Sequence, residues 1–478
     1  MAAEAIDFRG KAVTVVGLAR SGVGAANLLS SLGASVTVTD RKGPEELGEL
    51  TGRLRAGIRL VLGSHPAELF ERADIVVISP GVPPGIPPLR AASGKGVRII
   101  GELELAYQAV RRGEEGSPPR AARKTDFLAV TGTNGKSTTS TLLYEMARSS
   151  GSQAVLAGNI GDALTEVLFG AEGRKGCGPD SIVVEVSSFQ LETIDTFRPA
   201  AASILNITPD HMDRYPSMAE YIDAKCRIFL NQGADDFLVL NADDPISREV
   251  VAKGGKRWAG GNAPELFFFS RKREVKGAFL KDGRICFNAP GVPSTFNLRP
   301  SDFKIRGVHN VENAMAASLM ALLAGYGADA VSKTLENFSG LEHRVELVRE
   351  KGGVKFINDS KGTNVAAVVK SIESFPEPVI LIAGGRDKDG DFTELRDLVR
   401  DRVKALVLIG EAGEKIRKAL GDIRDPFMEE DLGKAVKRAE RLASPGDVVL
   451  LSPACASFDM FRNFEDRGRQ FKKAVMEL

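Results

Sequence analysis

Short runs of Val, Ile and Leu that are apolar on both faces recur along this 478-residue chain, separated by stretches of helix length. A strand with two apolar faces must be covered on both, and the intervening helices are the available cover. The pattern therefore predicts parallel sheets in α/β layers. One group lies at 11–17, 35–40, 74–81, 127–132 and 181–188; a second lies at 357–361, 379–385, 405–410 and 447–453. Each run ends in a polar or glycine turn. Between 253 and 300 the rhythm fails, and FFFS, GAFLKDGRICF and STFNL predict short antiparallel strands with a turn at Asp282-Gly283. Phe267, Phe268 and Phe269 are assigned to the core.

At roughly 150 residues per domain the length calls for about three domains. RRGEEGSPPRAARK at 111–124 reads as a linker, and near 340 a helical pattern gives way to LEHRVELVRE. The expected domains are 1–118, 119–340 and 341–478. Lys plus Arg (64) nearly cancel Asp plus Glu (63), so no electrostatic footprint argues for nucleic acid or an anionic membrane. The four cysteines form no CxxC pair, which argues against a disulfide framework or structural zinc and fits a reducing cytosol. The N-terminus has no apolar core of signal-peptide length, and no run of about 18 apolar residues occurs. A cytoplasmic chain without membrane contact is expected.

The chemistry starts at VTGTNGKSTT, 130–139, where an apolar strand meets a helical pattern. A regular phosphate loop has four residues between its framing glycines; here only Thr133 and Asn134 separate Gly132 from Gly135. The physics is unchanged. Glycine backbone N–H groups can curl around phosphate, the helix N-terminus adds partial positive charge, Lys136 can reach β- and γ-phosphates, and Ser137 or Thr138 can hold Mg²⁺. A Gly-Asn turn with an incidental lysine is the bland alternative. Glu185, ending an apolar strand, offers a hard oxygen ligand, and His211 lies among Asp210, Asp213 and Arg214. Near the N-terminus, Gly17-Leu18-Ala19-Arg20-Ser21-Gly22 followed by Asp40 reads as a dinucleotide fingerprint with its middle glycine replaced by Ala19. An NAD(P)-dependent oxidoreductase is thus one rival reading, and a nucleotide switch indifferent to amino acids is another.

Taken together, GTNGKST, EVSSFQLE, NITPDHMDRYP, DAKCRIF, GVHNVENAMAA, LEHRVE and NDSKGTN, in this order, resemble the Mur ligases, ATP-dependent amide-forming enzymes of peptidoglycan synthesis. The closing LLSPACASFDMFRNFEDRGRQF is most similar to the branch of that family that adds D-glutamate. The resemblance implies a Rossmann-like N-terminal UDP-binding domain, a central P-loop ATPase domain and a Rossmann-like C-terminal domain; nothing in the sequence suggests an obligate interface, and a monomer is expected. It implies ATP, UDP-N-acetylmuramoyl-L-alanine and D-glutamate as substrates, and two Mg²⁺ ions with Mn²⁺ as a substitute. The reaction it implies runs through an acyl phosphate. Another amino-acid-adding Mur ligase is the near alternative, although the GKGHE-like loop of the diaminopimelate- or lysine-adding branch is missing.

Residue by residue, the resemblance implies that Gly132 to Thr138 hold the ATP phosphates, with Lys136 neutralising the transferring group. Asn310 and Asn313 would meet adenine, Asp359 the ribose, and Arg344 the γ-phosphate from the third domain. From the residues alone, the asparagines read as a helix cap. Ser137, Glu185, His211 and Lys225 would serve the metals, with Lys225 carbamylated so that a cation becomes an oxygen donor. Lys361, Thr363, Lys388, Ser457, Phe458 and Phe464 would form the D-glutamate pocket, although Arg386 and Asp387 depart from the family's glycine-rich form beside Lys388. Arg20, Ser21, Asp40, Arg41, Ser79 and Gly81 would lie near the UDP group. Asn159 would approach the sugar-peptide end, with His211.

Overall fold

A computed structural model describes residues 5–114, 125–172, 179–257, 263–293, 295–305 and 307–478. Its strands form three sheets. In the first, Arg59–Leu62, Ser35–Asp40, Ala12–Val16, Ile75–Ile78 and Arg98–Gly101 lie side by side and parallel. The inner strands bury both faces, as expected from AVTVV and IVVI.

The second sheet has nine strands. Asp126–Thr131, which leads into the phosphate loop, lies third from one edge, between Ser181–Glu185 and Ala201–Ile204, both parallel to it. The third sheet has six strands, all parallel except the antiparallel edge Glu346–Lys351. In such sheets ligands bind outside the carboxyl ends of the strands, and the expected site residues cluster there.

Two expectations need correction. FFFS belongs to Glu265–Ser270, which pairs parallel with both Phe237–Asn241 and Gly277–Lys281. Its phenylalanines pack on both sides, Phe267 and Phe269 into one core cluster and Phe268 against another, so the strand sits inside the sheet. Antiparallel pairing begins one strand later, where Asp282 and Gly283, both at positive φ (48° and 72°), close the hairpin to Arg284–Asn288. The second correction concerns 111–114, which are the end of the helix Glu102–Glu114 rather than linker. The Arg111 guanidinium lies over the Tyr107 and Phe127 rings and fastens that turn. Residues 115–124 of the expected linker, and Cys177, lie outside the described residues. Cys226, Cys286 and Cys455 are free thiols.

The first two sheets share a core. Leu103, Ala106 and Tyr107 of the helix Glu102–Glu114 pack with Phe127 and Phe197 of the central unit. Glu104, fully buried, accepts hydrogen bonds from the N–H groups of Asp195 (2.9 Å), Thr196 (3.0 Å) and Phe197 (2.9 Å), from the Thr196 hydroxyl (2.6 Å) and from the Gln108 amide (2.8 Å). Such saturation is what permits a carboxylate to be buried without a cation.

Candidate active site

The phosphate loop joins Asp126–Thr131 to the helix Lys136–Ser149. Gly132 (φ 149°) and Gly135 (φ 84°) supply the backbone angles that curl it, and a Cβ on Gly135 would lie 2.3 Å from the Asn313 Oδ1. Asn206 braces the shortened loop: its side chain accepts from Asn134 N–H (2.8 Å) and donates to Asn134 O (3.0 Å), while its carbonyl accepts from Thr133 N–H (2.9 Å). Lys136 folds back to donate to the carbonyls of Gly132 and Thr133, both at 2.9 Å. Burial lowers its pKa, opposed by Glu185 and Asp210.

Glu185, 1 % exposed, ends its strand beside this lysine. Its Oε1 accepts from the Asn159 amide at 2.8 Å, and its Oε2 has no hydrogen-bond partner. Burial pushes its pKa up, but Lys136 and Asn159 outweigh that, so the pKa is lowered and the group stays ionised. An ionised, buried oxygen without a donor is what a hard cation needs.

Lys225, also 1 % exposed, donates to Gly132 O at 3.0 Å and sits 4.6 Å from the Tyr221 ring centroid. Burial and the neighbouring Lys136 push its pKa well below the ordinary lysine value. His211, at φ 57°, packs edge-on against Phe189 with its Nε2 3.7 Å from Asp210 Oδ2. Burial lowers its pKa against the pull of Asp210.

A cavity of about 320 Å³, lined by Asn134, Gly135, Asn310, Asn313, Arg344 and Asp359 among others, opens beside the loop. That falls at the small end of the roughly 300–1,000 Å³ typical of ligand pockets. Asn313 donates to Asn310 Oδ1 (3.2 Å) and accepts from Thr139 (3.3 Å), so both asparagines face the cavity rather than capping their helix. Gly307 is the cap of Val308–Leu323. Sequence reasoning missed Phe269, Asp243, Arg271 and Lys272, which also line this space. Asp243 lies in the polar stretch NADDP at the end of one buried strand, and Arg271 and Lys272 directly follow another that carries Phe269.

The third sheet's loops close over this cleft. Arg344 donates to the Ser137 hydroxyl at 2.8 Å, held between two non-glycine residues at positive φ, His343 (65°) and Val345 (46°). Lys388 donates to Asp210 Oδ1 at 3.0 Å. Asn364, also missed, donates to Asp210 Oδ2 (3.1 Å) and Asn134 Oδ1 (3.4 Å). Asp359 is buried and accepts from Ser371 (2.5 Å) and Ser452 (2.7 Å); burial pushes it up to about 6. Burial pushes Lys361 down to about 8, with its ammonium 3.7 Å from the centroid of the Phe464 ring. Thr363 is half-buried, Ser457 is buried and Phe458 is 63 % exposed. The inserted Arg386 pairs its backbone with Ala456, and Asp387 pairs with Lys415.

The residues expected near UDP gather at the carboxyl edge of the first sheet. Asp40 accepts from the N–H groups of Leu18 (2.6 Å) and Lys42 (2.9 Å), and the Ser79 hydroxyl donates to Gly17 O at 2.9 Å. A Cβ on Gly22 would lie 1.9 Å from Gly17 O, the close helix-to-loop approach of a Rossmann turn. Ser21 is half-buried, and Arg41 and Gly81 are exposed. Arg20 is exposed and paired with Asp162 of the central unit. This edge is joined to the phosphate-loop cluster through Arg214, which donates to Pro80 O at 3.5 Å and covers Phe189, the ring against His211.

Three family models match the chain: a Mur ligase MurD-like N-terminal domain at 11–101, the Mur ligase middle domain at 130–321, and the Mur ligase glutamate ligase domain at 343–455. A UDP-N-acetylmuramoylalanine--D-glutamate ligase of Geotalea daltonii is 45 % identical over 475 residues, covering 99 % of each chain. One of the same name from Pelotomaculum thermopropionicum is 43 % identical, again over 99 % of each. Among solved structures, the UDP-N-acetylmuramate-alanine ligase MurC of Thermotoga maritima superposes with a TM-score of 0.59 at 19 % identity, covering 98 % of this chain and 99 % of its own. MurF of Thermotoga maritima, in complex with ADP, gives 0.58 at 15 % over 98 % and 96 %. A short phosphate loop facing an arginine and lysines from a third domain, within three sheets matched from end to end, establishes that this chain belongs to the Mur ligase family.

Proposed function

We propose that this chain uses ATP to join D-glutamate to UDP-N-acetylmuramoyl-L-alanine, a step in peptidoglycan synthesis. The observation that carries the chemistry is the meeting of Lys136 with Arg344, Lys361 and Lys388 across one cleft. The full-length likeness to D-glutamate ligases supports the choice of amino acid.

The L-alanyl carboxylate oxygen attacks the γ-phosphorus of ATP, the bond to the β–γ bridging oxygen breaks, and ADP leaves. The neutral amine of D-glutamate then attacks the acyl carbon, phosphate departs with the electrons of the C–O bond, and the nitrogen loses its extra proton. Both steps ask for positioning and charge neutralisation more than for a protein nucleophile. Lys136 and Arg344 hold the phosphoryl oxygens, Asn310 and Asn313 the adenine, and Asp359 the ribose. Lys361, Thr363, Lys388 and Ser457 take the two carboxylates of D-glutamate, with Phe458 and Phe464 as the apolar wall. Arg20, Ser21, Asp40, Arg41, Ser79 and Gly81 receive the UDP group, and Asn159 its acyl end.

Glu185 and Ser137 suit one Mg²⁺, since Glu185 Oε2 is charged, buried and without a donor. His211 and Lys225 suit a second. Mg²⁺ bound there supplies Lewis-acid polarisation of phosphoryl and acyl oxygens. Lys225 qualifies as a ligand only after carbamylation, and its suppressed pKa favours the neutral amine that adds CO₂. We take the enzyme to be a monomer acting in the cytoplasm, checked by light scattering and cell fractionation.

Phosphate release measured with D-Glu, L-Glu, L-Ala or meso-diaminopimelate, each with and without the UDP-sugar, tests the assignment. Stimulation by D-Glu alone, and only with the UDP-sugar, is expected; stimulation by another amino acid instead overturns it. Lys225→Ala is expected to lose most activity and regain part of it with small carboxylic acids. Full activity without them would exclude the carbamate.

A further inference from the structure

Arg467 is 1 % exposed, and among the described residues none of its hydrogen bonds goes to a carboxylate. Its Nε donates to the Ser360 hydroxyl (3.0 Å), its Nη2 to the carbonyls of Ser360 (2.9 Å) and Cys455 (3.2 Å), and its Nη1 to those of Cys455 (3.2 Å) and Ala456 (3.4 Å). A guanidinium presents its donors in one rigid plane, so these acceptors are fixed relative to one another.

The acceptors belong to two loops that leave neighbouring parallel strands, Val354–Asn358 and Val448–Leu451. The residue after Ser360 is Lys361, and the residue after Ala456 is Ser457. In a planar trans peptide the N–H points opposite the carbonyl, so binding the Ala456 carbonyl turns the Ser457 N–H away from the guanidinium. That N–H donates to no other group among the described residues. A third loop is drawn into the same arrangement. Arg386 and Ala456 exchange backbone hydrogen bonds of 2.9 Å each, two residues before Lys388. The approach requires glycine at 385, where a Cβ would lie 2.3 Å from Ala456 O and 3.2 Å from Arg467 Nη1. The Ser360 hydroxyl in turn donates to Phe464 O at 2.8 Å, setting the helix whose first ring packs on Lys361.

We propose that Arg467 is a positioning residue for the amino-acid substrate, holding three carbonyls so that the Ser457 N–H and the loops bearing Lys361 and Lys388 converge on one dicarboxylate. This rests on the assignment of those residues to the D-glutamate pocket.

The test is steady-state kinetics of Arg467→Lys, which keeps the charge and removes the fork, with folding followed by thermal melting. The KM for D-glutamate is expected to rise about tenfold or more, the loss expected when hydrogen bonds to a charged group go unmade. The KM for the UDP-sugar is expected to stay within about twofold, because that subsite does not hang from the fork, and the KM for ATP to rise less than that for D-glutamate, since of the proposed ATP contacts only Asp359 shares the Ser360 loop. If the lysine variant yields no folded protein, Ser360→Ala and Gly385→Ala perturb the same joint, and the same selective rise is expected. A D-glutamate KM within about twofold of wild type, or a parallel rise for all three substrates, overturns the proposal. Wild-type phosphate release that ignores D-glutamate refutes the pocket assignment itself, and the proposal falls with it; that outcome is read without any variant.

Discussion

Lys361 shows how burial converts an ordinary side chain into a pH-dependent one. Desolvation, with Arg344 beside it, brings its pKa from 10.5 to about 8. Its charge is therefore present at neutral pH and lost as pH rises through about 8. The kcat/KM for D-glutamate is expected to fall above that pH, and Lys361→Arg, which cannot lose its proton in this range, should carry the fall to higher pH. An unmoved profile would detach Lys361 from substrate binding. Asp359 runs the other way. Its pKa rises from 3.8 to about 6, so the folded state binds the proton more tightly than the unfolded chain and stability declines as pH climbs between those values. At about 1.4 kcal/mol per unit, the cost of ionising it approaches 3 kcal/mol. Asp359→Asn should consequently raise the melting temperature relative to wild type more at pH 7 than at pH 4.5. Equal shifts at both would contradict the burial argument.

Among the elements, the helix Lys136–Ser149 depends most on one residue before it. Gly135 has φ 84°, and the space its Cβ would need is held by Asn313, which is itself tied to Thr139 and Asn310. Gly135→Ala is expected to cost about 1–3 kcal/mol of stability and to raise the KM for ATP more than that for D-glutamate, measured by melting and initial rates. Elements of this kind were legible in the sequence. The parallel strands announce themselves because a strand covered on both faces needs an unbroken apolar run, and the phosphate loop because its glycines sit where a strand stops. Glu265–Ser270 was misread because an apolar run fixes burial but not the direction of its neighbours. Glu104, Asn206, Asn364 and Arg467 were missed for a different reason. Each acts through partners distant in sequence, 72 residues away for Asn206 and 107 for the Ser360 bonds of Arg467. Asn206, Asn364 and Arg467 do lie inside the quoted motifs, but no local spacing gives the partners that define their roles.

Across the whole molecule, the two interfaces differ in kind. The first and central sheets share buried apolar side chains and the five hydrogen bonds of Glu104. Glu104→Gln introduces donors opposite backbone N–H groups and is expected to cost about 2–4 kcal/mol. In calorimetry it should split the melting of the first two units into separate transitions; a single transition at an unchanged temperature would show the clamp to be dispensable. Among the described residues, the third unit meets the central one through polar contacts that include those of Arg344, Lys388, Asn364 and Ser374, in a cleft that must admit substrates.

The saturated carboxylate of Glu104 thus settles a question of mechanics. The first two units share one core, whereas the third meets them through polar side chains, so a load applied to the chain is expected to be released at the polar cleft before it reaches the shared core. Any parting of the third unit from the other two would then leave unworked the joint that keeps the carboxyl edge of the first sheet aligned with the phosphate loop.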